Sequence, residues 1–207
     1  MTDYFVYRAP VPYPVSLEIM EKAAFEIAAG RREETVLLLE HPALYTAGIH
    51  AAEDELLSRQ LPVFKTDRGG KYTFHGPGQR VMYVLLNLRA RKTAPRDFVW
   101  GLEETGLRAL ADFGLKAGRR DGRVGLWIET PDGRESKIAA LGVRIRRGVT
   151  LHGMAINICP DLSLFSGIIP CGIREYGVAS MAGCGIRTTS AAMLDDSLMK
   201  HFNEIFG

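Results

Sequence analysis

Two side chains in this 207-residue sequence stand where covalent chemistry is plausible. Cys171 lies in I-I-P-C-G-I, where Pro170 and Gly172 fix the backbone around a small nucleophile and leave it approachable. An ordinary thiol, with a pKa near 8.5, is only a few per cent thiolate at pH 7, so a useful nucleophile needs a nearby cation or base. Lys137 opens the apolar run K-I-A-A-L-G, whose small residues would let an ammonium point into a pocket. It is one of only seven lysines against 19 arginines. The same residues also fit a cysteine packed as a small hydrophobe and a solvated lysine at a strand end. Two of the five histidines, His75 and His152, precede glycines and are candidate partners for Cys171 in a Cys–His arrangement. No compact metal-ligand spacing is present, and no metal is expected.

The strongest local pattern is R-G-G-K-Y-T-F-H-G-P-G-Q, Arg68 to Gln79. Four glycines permit close backbone approach to a ligand. A surface hairpin with two tight turns has the same composition. It is neither a Walker A loop nor a G-x-G-x-x-G fingerprint. Residues 116–147 carry nine basic and four acidic side chains, a local excess of +5. Arg144 and Arg146 should share one strand face there, either solvated or docking an acidic partner.

These residues need elements to hold them. Ser16 to Ala29 has a helical apolar stripe, with Ser16 as cap and Gly30 as stop. Thr35 to Glu40 is a buried strand ended by His41-Pro42. Glu53 to Arg59 is a short helix, and Pro62 to Thr66 a short strand. Tyr72 to His75 alternates like a strand, and Val81 to Leu88 is another. Pro95 opens a helix with a stripe at Phe98, Leu102, Ala109, Leu110 and Phe113. Val124 to Glu129, a turn at Pro131-Asp132-Gly133, Ser136 to Ile145, and Val149 to Ile158 make the second half β-rich. Leu162 to Ile173 is an apolar loop, and a helix carrying Leu194, Leu198, His201, Phe202 and Ile205 follows. Strands and helices mix without regular βαβ alternation. The expected fold class is therefore α/β (α+β), a mixed sheet with packed helices.

Composition bounds the rest. Hydrophobic residues make up 46% and charged residues 24%, which excludes disordered, collagenous and coiled-coil chains. The net charge of +2 does not suggest a nucleic-acid binder. Three cysteines without a C-x-x-C pair argue against a disulfide framework. Apolar runs fall far short of a membrane span, and no secretory signal is seen. The expectation is a cytoplasmic protein with one domain over 1–207 and room for a small C-terminal subdomain from about residue 160.

Taken together, the motifs resemble the lipoyl(octanoyl) transferases. The resemblance rests on E-H-P-A-L-Y-T-A-G, R-G-G-x-x-T-x-H-G-P-G-Q with Tyr83 after it, S-K-I-A-A-L-G-V-R-I-R-R-G, H-G-M-A-I-N and P-C-G-I, in the family's order and spacing over roughly residues 35 to 181. It implies a fold like the catalytic domain of biotin and lipoate protein ligases. It implies a Cys171/Lys137 pair acting through a cysteine thioester. The implied acyl-binding segments are Arg68, Gly69, Gly70, Lys71, Tyr72, Thr73, Phe74 and His75; Ala140, Leu141 and Gly142; and Gly153, Met154 and Ala155. It further implies acyl carrier protein as octanoyl donor. The acceptors would be lipoyl domains of 2-oxoacid dehydrogenase E2 subunits and the glycine cleavage H protein. No cofactor, nucleic acid or membrane enters.

In the implied reaction the Lys137 ammonium favours the Cys171 thiolate. Amide hydrogens of the glycine-rich segments hold the oxyanion. Lys137 gives a proton to the leaving thiol and takes one from the incoming amine. The competing readings are an ATP-dependent lipoate or biotin ligase, a Cys–His thioesterase using His75 or His152, and a non-catalytic carrier-binding module.

Overall fold

A computed structural model describes residues 2–169 and 176–207. Eleven strands and four helices are present among them. The main sheet runs β1 (Thr2–Val6), β2 (Glu34–Leu39), β6 (Gln79–Leu85), β10 (Val149–Asn157), β9 (Glu135–Arg146), β8 (Arg123–Glu129), β7 (Gly118–Arg120), with β11 (Gly177–Val178) paired to β9. β1 is parallel to β2 and β11 to β9; the other pairs in this sheet are antiparallel. A smaller sheet, β4 (Val63–Lys65), β3 (Leu44–Ala47), β5 (Tyr72–His75), carries the glycine-rich stretch.

The continuous apolar run in β2 follows from burial on both faces. Val36 and Leu38 join Met82, Val84, Met154 and Ile156 under α3 (Pro95–Asp112) and α4 (Ala191–Phe206). Leu37 and Leu39 join Val81, Tyr83, Leu85, Leu151 and Ala155 under α1 (Tyr13–Ala28). Two guanidinium clamps lie outside these clusters. Arg80 makes two 2.7 Å bonds to Asp195, both buried, tying β6 to α4. Arg91, on the short helix α2 (Leu88–Arg91), holds Glu34 and the Phe206 carbonyl. No helix among the described residues is long and apolar enough to cross a membrane.

Several boundaries differ from expectation. α1 begins at Tyr13, not Ser16; Pro14 at the helix start needs no amide hydrogen there, and Ser16 turns inward to bond the Tyr13 carbonyl at 2.8 Å. The expected helix over Glu53 to Arg59 is a single 3-10 turn, Glu53–Glu55. Leu56 is drawn into a β-bridge with Ile168, and Leu57 and Ser58 both donate to the Gly167 carbonyl, so the helix cannot continue. The Leu162 loop opens with a 3-10 segment, Leu162–Gly167, capped by Asp161. Strands β1, β3 and β7 have no counterpart in the sequence reading.

Candidate active site

β5, β6, β9 and β10 converge on one cleft of about 500 Å³ including its open mouth. Arg68, Gly70, Lys71, Tyr72, Thr73 and His75 line one side; Ala140, Leu141, Gly142, Gly153, Met154 and Ala155 line the other. Gly69 and Phe74 do not. Gly69 donates to the Val143 carbonyl at 2.9 Å, and Phe74 packs on Tyr45 and Phe165 in the core of the small sheet. Tyr13, Val81, Tyr83 and His152 complete the wall. Nothing in the sequence marks Tyr13 or Val81 as lining residues, because only the tertiary fold brings α1 and β6 to this place. The Tyr13 hydroxyl makes no hydrogen bond among the described residues, and burial pushes its phenol up to about 12.

Arg68 is buried and works as a staple. Its guanidinium bonds Thr46 Oγ1 and the carbonyls of Thr46, Gly69 and Lys71, closing the glycine-rich turn against β3. Lys71 pairs with Glu55, whose carbonyl accepts from Ile169 N at 2.8 Å. The turn and the segment at Ile168 and Ile169 are thus held together.

Lys137 is buried, 7% exposed. Its Nζ donates to the Val124 carbonyl at 2.9 Å and lies 4.8 Å from the Trp127 ring centre. The register slips between Leu126 and Trp127, and Gly125 has φ +124, which only glycine adopts without strain. A β-carbon there would come within 3.0 Å of Lys137 Cε. The bulge therefore makes the seat for the lysine. Arg123 stacks between Trp127 and Tyr176, 4.7 and 4.2 Å from their rings. β11 pairs with Ser136 and Lys137, and Ala179 N donates to the Lys137 carbonyl. Cys171 itself lies outside the described residues. Cys159 is exposed, and Cys184 is half-buried with its thiol pushed up by burial.

Three histidines crowd the inner wall. His41 bonds the Val11 carbonyl at 2.6 Å and the Tyr83 hydroxyl at 2.8 Å, and its ring lies 5.5 Å from that of His75. His75 Nδ1 is 2.7 Å from Gln79 Oε1. His152 holds φ +62 within β10 and faces Asp67 at 3.4 Å. Burial depresses all three imidazoles, His41 and His152 to about 4 and His75 well below the ordinary value. Among the described residues no three His, Cys, Asp or Glu side chains are grouped to hold a metal.

Much of the basic 116–147 segment is engaged. Arg119 pairs with Glu103 and Glu104, Arg120 and Arg123 with Glu135, and Arg134 with Asp132. Arg144 and Arg146 are exposed, share one strand face, and both reach Asp67.

A family model described as the lipoyl protein ligase A/B catalytic domain matches residues 12–203. An octanoyltransferase of Paramagnetospirillum magneticum is 51% identical over 206 residues, covering 99% of this chain and 97% of that protein. One from Jannaschia sp. is 49% identical over the full length of both. Among solved structures, the bipartite lipoate protein ligase of Thermoplasma acidophilum superposes with a TM-score of 0.68 at 18% identity, covering 99% of this chain and 84% of that one. The biotin protein ligase of Aquifex aeolicus does so at 0.55 and 10%, covering 98% and 67%. The fold is therefore that of the lipoate and biotin protein ligase catalytic domains. With half its residues shared across the whole length, and the described motif segments at 68–75, 140–142 and 153–155 meeting at one cleft, the chain belongs to the octanoyltransferase family.

Proposed function

We propose that the protein transfers an octanoyl group from octanoyl-acyl carrier protein to the acceptor lysine of a lipoyl domain, through a thioester on Cys171. The observation that carries this reading is the near 50% identity to octanoyltransferases along the whole chain, joined to a cleft lined by residues of three of the motif segments.

In the first half-reaction the Cys171 thiolate attacks the donor thioester carbonyl. The carbon–sulfur bond to the carrier breaks, and the carrier thiolate takes a proton from the Lys137 ammonium. In the second, the acceptor nitrogen attacks the octanoyl-Cys171 carbonyl. The carbon–sulfur bond to Cys171 breaks, the amide forms, and Lys137 recovers its proton. Backbone amides of the glycine-rich turn would stabilise the oxyanion. The thioester already carries the acyl group in activated form, so no adenylation is needed.

The test is an intact-mass measurement with octanoyl-acyl carrier protein and no ATP, run beside Cys171→Ala and followed by an apo lipoyl domain. The expected result is an octanoyl adduct on the wild type only, discharged to the lipoyl domain. Lipoyl-domain modification that requires ATP and free acid would make the protein a ligase. Lys137→Met should shift the pH dependence of Cys171 alkylation upward; an unchanged titration removes Lys137 from its role.

A further inference from the structure

The buried amides of Gln79 and Asn157 carry a consequence for His75. Asn157 Nδ2 lies 2.9 Å from the Ala179 carbonyl, and Gln79 Nε2 lies 3.2 Å from the Phe74 carbonyl. A backbone carbonyl only accepts, so both amide nitrogens must donate, and this fixes how each amide is turned. Gln79 Nε2 also donates to Asn157 Oδ1 at 2.9 Å, which agrees with both orientations. Gln79 Oε1 is thereby turned to His75 Nδ1, and an oxygen of that kind only accepts. Nδ1 must carry the hydrogen. All three side chains are buried: His75 at 6%, Gln79 at 1% and Asn157 at 4% exposure.

The other ring nitrogen, Nε2, has no hydrogen-bond partner among the described residues, and His75 lines the cleft. The relay also fixes which end of the cleft this is. Gln79 and Asn157 are register partners on β6 and β10. Asn157 grips Ala179, whose amide donates to the Lys137 carbonyl. His75 therefore belongs to the end nearer Lys137.

Proton counting says what such a nitrogen would do, given the octanoyl-transfer reading above on which this inference rests. An acceptor lysine enters as an ammonium, since its ordinary pKa is about 10.4. It leaves as an amide with one N–H, so two protons are shed. Lys137, left neutral by the first half-reaction, takes one. Cys171 departs as the thiolate that begins the next cycle and takes none. We propose that His75 Nε2 receives the other proton, from the nitrogen after it has bonded to the acyl carbon, and that Gln79 and Asn157 are positioning residues that hold His75 in the required tautomer. Nitrogen becomes much more acidic once it has attacked, so a weakly basic imidazole suffices for this proton. The charged and titratable groups around His75 are His41, Arg68 and His152, and burial and these neighbours keep it neutral before transfer. That neutral state is the one able to accept.

The experiment separates the two half-reactions. Octanoyl-enzyme is formed with octanoyl-acyl carrier protein, freed of donor, and mixed with an apo lipoyl domain across a pH series. Gln79→Glu places a carboxylate on Nδ1–H and stabilises the imidazolium. The acid limb of the transfer profile should move up by about one pH unit or more. His75→Gln should slow transfer by about a hundredfold, the scale of a lost general base. A Gln79→Glu profile that superposes on the wild type overturns the inference. Because that variant gives up two buried hydrogen bonds, a second measurement uses the wild type alone: ¹⁵N shifts of the histidine rings, with His75 identified from His75→Gln. A neutral ring protonated at Nδ1 supports the relay, and one protonated at Nε2 overturns it. Failure to form octanoyl-enzyme would instead overturn the transfer reading.

Discussion

The backbone of Gly153 runs so close to that of Met82 that a β-carbon at Gly153 would overlap the Met82 carbonyl oxygen. Neither strand can give way freely, because β6 and β10 are each paired on both sides. Gly153→Ala should therefore lower stability by about 1–3 kcal/mol, the usual cost of forcing volume into a packed core. Urea denaturation measures this. An unchanged midpoint would mean that the strands yield, and that the approach is not needed for the cleft.

Acid should unfold the protein early. His41 and His152 sit near 4 when folded, against about 6.5 when unfolded. Between those values the unfolded chain binds more protons, so stability falls as the pH drops from 6.5 towards 4. Each histidine contributes a slope of about 1.4 kcal/mol per pH unit in that window, and above pH 6.5 its contribution is complete. Unfolding free energies at pH 7, 6 and 5 give the slope, and His41→Gln should reduce it. A flat profile would show that the imidazoles find solvent in the folded state.

The seat of Lys137 can be disturbed without touching the lysine. A β-carbon on Gly125 would press on the Ala139 carbonyl at 2.8 Å as well as on Lys137 Cε. Gly125→Ala is expected to displace the ammonium and slow octanoyl-enzyme formation by about tenfold to a hundredfold, in line with the effect of misplacing a catalytic group by about 1 Å. Rapid-quench mass measurement reads the rate. Wild-type kinetics would show that the bulge is not what places the lysine.

Arg144 and Arg146 remain exposed despite their contacts with Asp67. Changing both to Glu should reduce kcat/KM for an acidic carrier donor by about tenfold at low salt, with the two proteins converging as salt screens the field. An equal defect at all ionic strengths would place these arginines in the fold rather than in docking.

The main strands were legible because burial on both faces leaves continuous apolar runs, as in Val36 to Leu39 and Val81 to Leu85. The helix over Phe98 to Leu110 was legible from its stripe and its opening Pro95. Features set by distant partners were not. The turn at Glu53–Glu55 stops because Leu56 meets Ile168, over a hundred residues away in sequence. β1 is an edge strand with exposed Phe5 and Val6, so no buried pattern announces it. The three segments marked by the motifs lie along the cleft except at Gly69 and Phe74, and Phe74 is taken by the small-sheet core, against Tyr45 and Phe165. Gln79 was visible only as the last letter of a glycine-rich string, and Asn157 as the end of a strand. Their meeting depends on the β6–β10 register.

Part of the cleft wall, at Gly70, Ala140, Gly142, Gly153 and Ala155, carries no side chain larger than a methyl group. A slot bounded this way has an evolutionary asymmetry. At these positions a single substitution can add atoms and make the slot shallower, but almost none can remove atoms and deepen it. Deepening the slot along this part of the wall means moving strands apart, which requires concerted change in β6, β9 and β10 rather than drift at one position.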